Sequence, residues 1–196
     1  MSMKFPAVTK VAILDRMRAW NGREPGMEMG CENMEIKDKT ISASATTLSQ
    51  LILPSQTNPA GNAHGGELLK MMDNCAGVCA TKHSRSVVVT AGIDNVNFHA
   101  PVFMGNQVTC KAHLTYVSNR SMEIAVSIDA EDILEGTKQC CMTAYFIFVA
   151  VDENMQPKQL DQVILENEIE RQGFEDGRAR MDVRKENPKL CWLSLY

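Results

Sequence analysis

The chain has 196 residues, 44% of them hydrophobic and 22% charged, with a net charge of −4. Such a composition fits one globular domain with flanking segments, not a disordered chain. No basic run exceeds Arg178-Ala179-Arg180 or Arg184-Lys185, so a groove that neutralises nucleic-acid phosphates is not expected.

In chain order, residues 1–38 read as a peripheral segment. They hold a short amphipathic helix over 8–20 and then "NGREPGMEMG", rich in turn formers. Lys10, Asp15 and Arg16 interrupt any signal-peptide core. Residues 39–53, "KTISASATTLSQLIL", are rich in Thr, Ser and Ile and read as a strand stopped by Pro54. "PSQTNPAGN" is a loop, and a helix follows over about 65–82.

Four strands come next. "SVVVTAGIDNVNF" ends at a turn in "HAPVFMGN". "QVTCKAHLTYV" alternates, with Val108, Cys110, Ala112, Leu114 and Tyr116 on the core face. "SMEIAVSIDA" places Met122, Ile124, Val126 and Ile128 inward, and the nearly all-apolar "QCCMTAYFIFVAV" belongs inside the sheet. The apolar run over 144–151 is too short to span a bilayer, so no membrane partner is expected. Beyond Asp152 the composition turns charged and reads as one or two exposed helices. The order strand, long helix, four strands predicts an α+β fold: a five-stranded antiparallel sheet wrapped around one central helix.

Seven cysteines, an odd number without a CxxC pair, read as reduced core thiols rather than disulfides or a metal site. The expected compartment is the cytoplasm.

The central helix, "GNAHGGELLKMMDNCAGVCATKH", raises one question. At about 100° per residue, Leu68, Met72, Cys75 and Cys79 centre the apolar face. Asp73 lies beside it on a stripe with Gly66, Leu69, Gly77 and Ala80. A carboxylate at the edge of a core is costly unless it is satisfied, and the small neighbours allow another helix or a ligand chain to come close. Gly65 and Gly66 sit at the helix start, where unpaired N–H groups and the positive dipole end suit a carbonyl oxygen.

"LILPSQTNPAGNAHGGELLKMMDNCAG", "VVTAGIDNVNFHAPVFMGNQV" and "YVSNRSMEIAVSIDAED", in that order, resemble the hotdog-fold acyl-CoA thioesterases, closest to the brain-type and bacterial acyl-CoA hydrolases. The likeness covers about residues 45–152 and continues at "FEDGRAR". It implies a single hotdog domain over 39–152, flanked by the segment 1–38 and a charged helical tail over 153–196. It also implies Asp73 as catalytic base or nucleophile, and Asn62 as a catalytic group positioning substrate or water. Gly65 and Gly66 would polarise the thioester carbonyl, and His64, Thr90, Asn119, Arg120 and Ser121 would contact substrate. In the two-domain brain enzymes the asparagine and aspartate fall on different repeats, whereas this chain carries both. Some bacterial relatives have Asp where this chain has Asn62.

Asn62 and Asp73 are eleven positions apart, on the order of 15 Å along a helix. They cannot act together in one chain. Two helices antiparallel across a two-fold axis would bring Asn62 and Gly66 of one copy beside Asp73 of the other. That geometry points to a homodimer; the resemblance implies acyl-CoA as its substrate partner and assembly into a hexamer as a trimer of dimers. No cofactor or metal is expected, coenzyme A entering as part of the substrate. Arg120, Lys138, Lys111 and Lys82 are candidates for its phosphates. His99-Ala100-Pro101, superficially similar to the histidine motif of hotdog dehydratases, reads as a turn. A hotdog domain that binds acyl-CoA without cleaving it is the alternative; no DNA-binding segment accompanies it.

Overall fold

A computed structural model describes residues 39–186. The expected helix over 8–20, the rest of the segment 1–38 and the end of the tail, 187–196, lie outside them. A short helix α1 (Ile41–Ser44) leads into β1 (Thr46–Leu51), and a 3-10 turn (Pro54–Gln56) into the long helix α2 (Gly65–Ser84). Strands β2 (Val87–Phe98), β3 (Gln107–Val117), β4 (Ser121–Asp132) and β5 (Thr137–Val151) follow, then helix α3 (Glu168–Glu186). The strands form one antiparallel sheet in the order β1-β3-β4-β5-β2.

The sheet curls around α2, whose buried face is Leu68, Met71, Met72, Cys75, Ala76, Cys79 and Ala80. Against it lie Val108, Cys110, Ala112 and Leu114 of β3 and Met122, Ile124, Val126 and Ile128 of β4. Burial pushes the Cys79 thiol up to about 12, which suits an unreactive core thiol. Strand β5, between β4 and β2, is buried on both faces from Phe146 to Val151, which explains its continuous apolar run. Helix α2 ends on Arg85, a left-handed C-cap with φ 50°, and Lys39 donates from Nζ to the His83 carbonyl at 2.7 Å. That cation sits at the negative end of the helix dipole.

Three expectations change. Residues 39–44 are not strand: the Thr40 hydroxyl accepts the Ala43 N–H and caps α1, a local hydrogen bond that competes with sheet pairing. Tyr116 does not continue the inward alternation. A register shift between Leu114 and Tyr116 buries Thr115 and Val117 and turns Tyr116 toward α3, 4.9 Å from the Phe174 ring centroid. The tail helix is not simply exposed: Phe174, Gly177, Met181 and Arg184 form a buried stripe on α3.

That stripe covers Glu123 of β4, which is 0% exposed. Arg180 donates to Glu123 Oε1 from Nη2 at 2.7 Å, and Arg184 donates to Oε2. The Thr115 hydroxyl donates to Oε1 at 2.8 Å. Arg184 also reaches Asp94 of β2, Nε to Oδ2 at 2.9 Å, and the Arg180 guanidinium lies 4.1 Å from the Tyr145 ring centroid. Burial opposes the Arg180 charge, but the hydrogen bond and charge of Glu123 more than offset it and raise its pKa.

Gly177 lets α3 approach this closely. Alanine is ordinarily the better helix residue by about 1 kcal/mol, yet a Cβ here would lie 2.8 Å from Tyr116 Cβ and 3.0 Å from the Thr115 carbonyl oxygen. Gly177→Ala is therefore expected to destabilise by about 1–3 kcal/mol, measured by urea unfolding. An unchanged or higher midpoint would mean that α3 does not dock here.

Candidate active site

Asp73 is half-buried on α2 and faces β2. The Thr90 hydroxyl donates to its Oδ1 at 2.7 Å, which fixes the rotamer of the carboxylate. Both line an open groove of about 570 Å³, shared with Gly77, Val88, Arg85 and Phe148. Thr90 and Phe148 are cross-strand partners in the β2–β5 ladder, so hydroxyl and ring stand side by side opposite the helix.

The start of α2 forms a second groove of about 410 Å³, lined by Asn58, Asn62, Gly65, Leu68, Phe98 and Val102. No residue lines both grooves. Within one chain, then, Asn62 and Asp73 stay apart as the helix length requires. His64 is the N-cap of α2, and its Nδ1 accepts the Gly66 N–H at 3.2 Å. One of the two expected oxyanion donors is thus occupied by an imidazole. Phe98 packs on Gly65: a Cβ there would lie 3.2 Å from the ring, so glycine is what permits that contact.

The loop before α2 holds a residue the sequence reading passed over. Asn58 Oδ1 accepts the N–H groups of Ala60 at 2.9 Å and Asn62 at 3.2 Å, and its own N–H donates to the Asn62 carbonyl at 2.8 Å. These bonds use Oδ1 and the backbone, not the Nδ2 amide. The signal was the Asn-Pro dipeptide, which marks a turn built on the Asn side chain.

Asn119 and Arg120 belong to the β3–β4 turn, Ser121 opens β4, and none of the three lines either groove. Ser121 is buried, 2.8 Å from the Ser118 hydroxyl, and the Asn119 carbonyl accepts the Leu160 N–H at 2.9 Å. Of the phosphate candidates, Lys111 and Lys138 both reach Asp129, at 3.0 and 3.9 Å, and Lys82 donates to the Ala45 carbonyl at 3.1 Å. His99 follows β2, its Nε2 2.8 Å from the Thr143 hydroxyl. Among the described residues no three or more His, Cys, Asp or Glu side chains are grouped to hold a metal ion. No described helix is long and apolar enough to cross a membrane.

A five-stranded antiparallel sheet wrapped around one long helix, with a carboxylate on that helix, defines a hotdog domain with a candidate acyl-transfer site. A sequence profile of the thioesterase superfamily matches residues 60–137. The mouse cytosolic acyl coenzyme A thioester hydrolase is 34% identical over 72% of this chain and 38% of its own length. The chain thus spans less than half of that relative. The crystal structure of an apo-hexameric acyl-CoA thioesterase is 33% identical, with a TM-score of 0.73, and the match covers 78% of this chain and 97% of that one. An acyl-CoA hydrolase from Staphylococcus aureus, in complex with butyryl coenzyme A, coenzyme A and coenzyme A disulfide, is 30% identical with a TM-score of 0.70; the match covers 76% of this chain and 90% of that one. Structures of its aspartate, asparagine and threonine to alanine variants are also similar. The chain belongs to the hotdog-fold acyl-CoA thioesterase family.

Proposed function

We propose that this chain hydrolyses acyl-CoA thioesters to free acid and coenzyme A, at a site completed by two copies of itself. The observation that carries the reading is the Asp73 carboxylate, held by Thr90 at the wall of a groove. The S. aureus variants add support. There the replaced asparagine precedes the aspartate by fifteen positions and the threonine follows it by seventeen. In this chain Asn58 and Thr90 stand at those spacings from Asp73. Asn58 is accordingly the better candidate than Asn62 for the amide that positions substrate or water; Asn62 closes the loop that presents it.

In the proposed reaction Asp73 takes a proton from water as the water oxygen attacks the thioester carbon. Attack by Asp73 itself, through an anhydride, is the alternative route. The developing oxyanion is received by the N–H groups at the start of the partner copy's α2, with Gly66 exchanging His64 Nδ1 for the substrate oxygen. One such donor is typically worth about 3 kcal/mol. The carbon–sulfur bond then breaks, and the thiolate recovers the proton. No cofactor is assigned beyond the coenzyme A of the substrate.

The homodimer is supported by strand β2. It is an edge strand, yet it exposes Val87, Ile93, Val96 and Phe98, an edge that unprotected monomers avoid. A hexamer is proposed from the hexameric relative. Every cysteine among the described residues is a free thiol, which fits a proposed cytosolic location.

The shared site has its own test. Asp73→Ala and Asn58→Ala chains are each expected to be nearly inactive. Co-expressed with different tags, random pairing makes half the dimers mixed, and each mixed dimer holds one intact site, so about a quarter of wild-type turnover returns. If mixing restores nothing while both variants remain folded dimers, the site is not shared.

A further inference from the structure

We infer that Asp94 is a positioning residue for the Asp73 site: it anchors the part of β2 that carries Thr90 to the tail helix, and acts on Asp73 through Thr90. The inference rests on the thioesterase reading above. Within the chain β2 pairs with β5 alone, and its ladder is irregular on both sides of residues 92–94. Ala91 has no ladder partner, so the faces reverse between Thr90 and Asp94. In a regular strand, residues four apart would share a face. Here Thr90 stands opposite Phe148 and turns to Asp73, while Asp94 stands opposite Tyr145, whose ring lies under Arg180 of α3. At the second irregularity Asn95 has φ 50°, left-handed backbone that is uncommon outside glycine.

The two oxygens of Asp94 meet both weaknesses. Oδ1 accepts the Asn95 N–H at 2.8 Å, which fixes the irregular turn of the strand. Oδ2 accepts Arg184 Nε at 2.9 Å, and the buried Glu123 holds Arg184 through Nη1. The anchor is therefore rigid. The Asp94 side chain is 40% exposed, so this pair by itself adds little to stability. Its effect is on position. A reacting carboxylate keeps its rate only while the groups that support it are fixed in place. Thr90 is such a support, and its strand has no second neighbour within the chain to hold it.

The test is a double-mutant cycle on coenzyme A release, run on whichever of a short, a medium and a long acyl-CoA wild type hydrolyses fastest. Asp94→Asn leaves one oxygen for two donors. Asp94→Ser keeps a hydroxyl that can cap the Asn95 N–H but falls short of Arg184. Each is made in wild type and in Thr90→Val, with folding checked by urea midpoint and assembly by size-exclusion chromatography. In wild type either change is expected to lower kcat about three- to tenfold with KM changed less than about twofold. In Thr90→Val the same change should cost less than about twofold, because the hydroxyl it positions is already gone. An unchanged kcat overturns the inference. So does an equal loss in both backgrounds, which a purely structural role would give, and so does loss of the dimer, which would make Asp94 an assembly residue. Absence of turnover by wild type on every acyl-CoA is a different result: it overturns the proposed reaction itself, and the inference with it.

Discussion

Asp73→Ala is expected to lower kcat for acyl-CoA hydrolysis by about 10²–10⁴-fold, the usual contribution of a positioned acid–base group, while the protein stays folded. Asp73 is only half-buried and its described hydrogen bond is to the exposed Thr90, so removing the carboxylate strands no buried partner and stability should change little. Thr90→Val should cost less, because it frees the rotamer without removing the base. The measurement is release of coenzyme A detected with a thiol reagent, against an enzyme-only blank because the chain has seven cysteines. A single turnover in ¹⁸O-labelled water adds the chemical detail: label found in Asp73 identifies the nucleophilic route. If Asp73→Ala retains wild-type turnover, Asp73 is not the base. If wild type itself only binds acyl-CoA, the domain is a sensor or subunit instead.

Periodicity made much of this fold legible, and its failures have local causes. Val108 to Leu114 alternate in the sequence and in the sheet. Tyr116 keeps the same alternation on paper, but the irregularity between Leu114 and Tyr116 reverses the faces, and no residue type announces it. Residues 41–44 have strand-like composition, yet the Thr40 cap makes them helical. Thr90, named only through family likeness, lies within hydrogen-bond distance of Asp73. Asn58 drew no notice because the family likeness assigned the asparagine role to Asn62, in "GNAHGG", and the loop hydrogen bonds of Asn58 are visible only in the structure. Glu123 was missed because an acidic residue on the alternate face of a strand reads as solvent-facing. Its partners are far away in sequence, and a charged tail does not advertise that two of its arginines are committed. The stripe Phe174, Gly177, Met181, Arg184 has helical spacing and could have been found by testing the tail for a buried face.

The largest stability effect should come from that same carboxylate. Glu123→Ala would leave the Arg184 guanidinium, on a residue 8% exposed, with Asp94 as its remaining described carboxylate partner. Breaking one side of a buried ion pair typically costs about 3–5 kcal/mol, and that loss is expected in urea unfolding at fixed protein concentration. Replacing the whole cluster is a different matter. A Glu123→Met, Arg180→Leu, Arg184→Met protein buries no unpaired charge on that face, and such exchanges are often neutral or stabilising. The triple variant should therefore recover most of the loss, although each charge removed alone is harmful. The cluster also joins α3 to β4 through Glu123 and to β2 through Asp94, and Asp94 lies four residues beyond Thr90 on the edge strand. Loss of the tie at Arg184 should loosen that strand and speed amide exchange near Thr90 more than at the centre of β4. A cost for Glu123→Ala below about 1 kcal/mol, in the range of an exposed pair, would mean that α3 leaves the sheet readily and that the carboxylate is hydrated in solution.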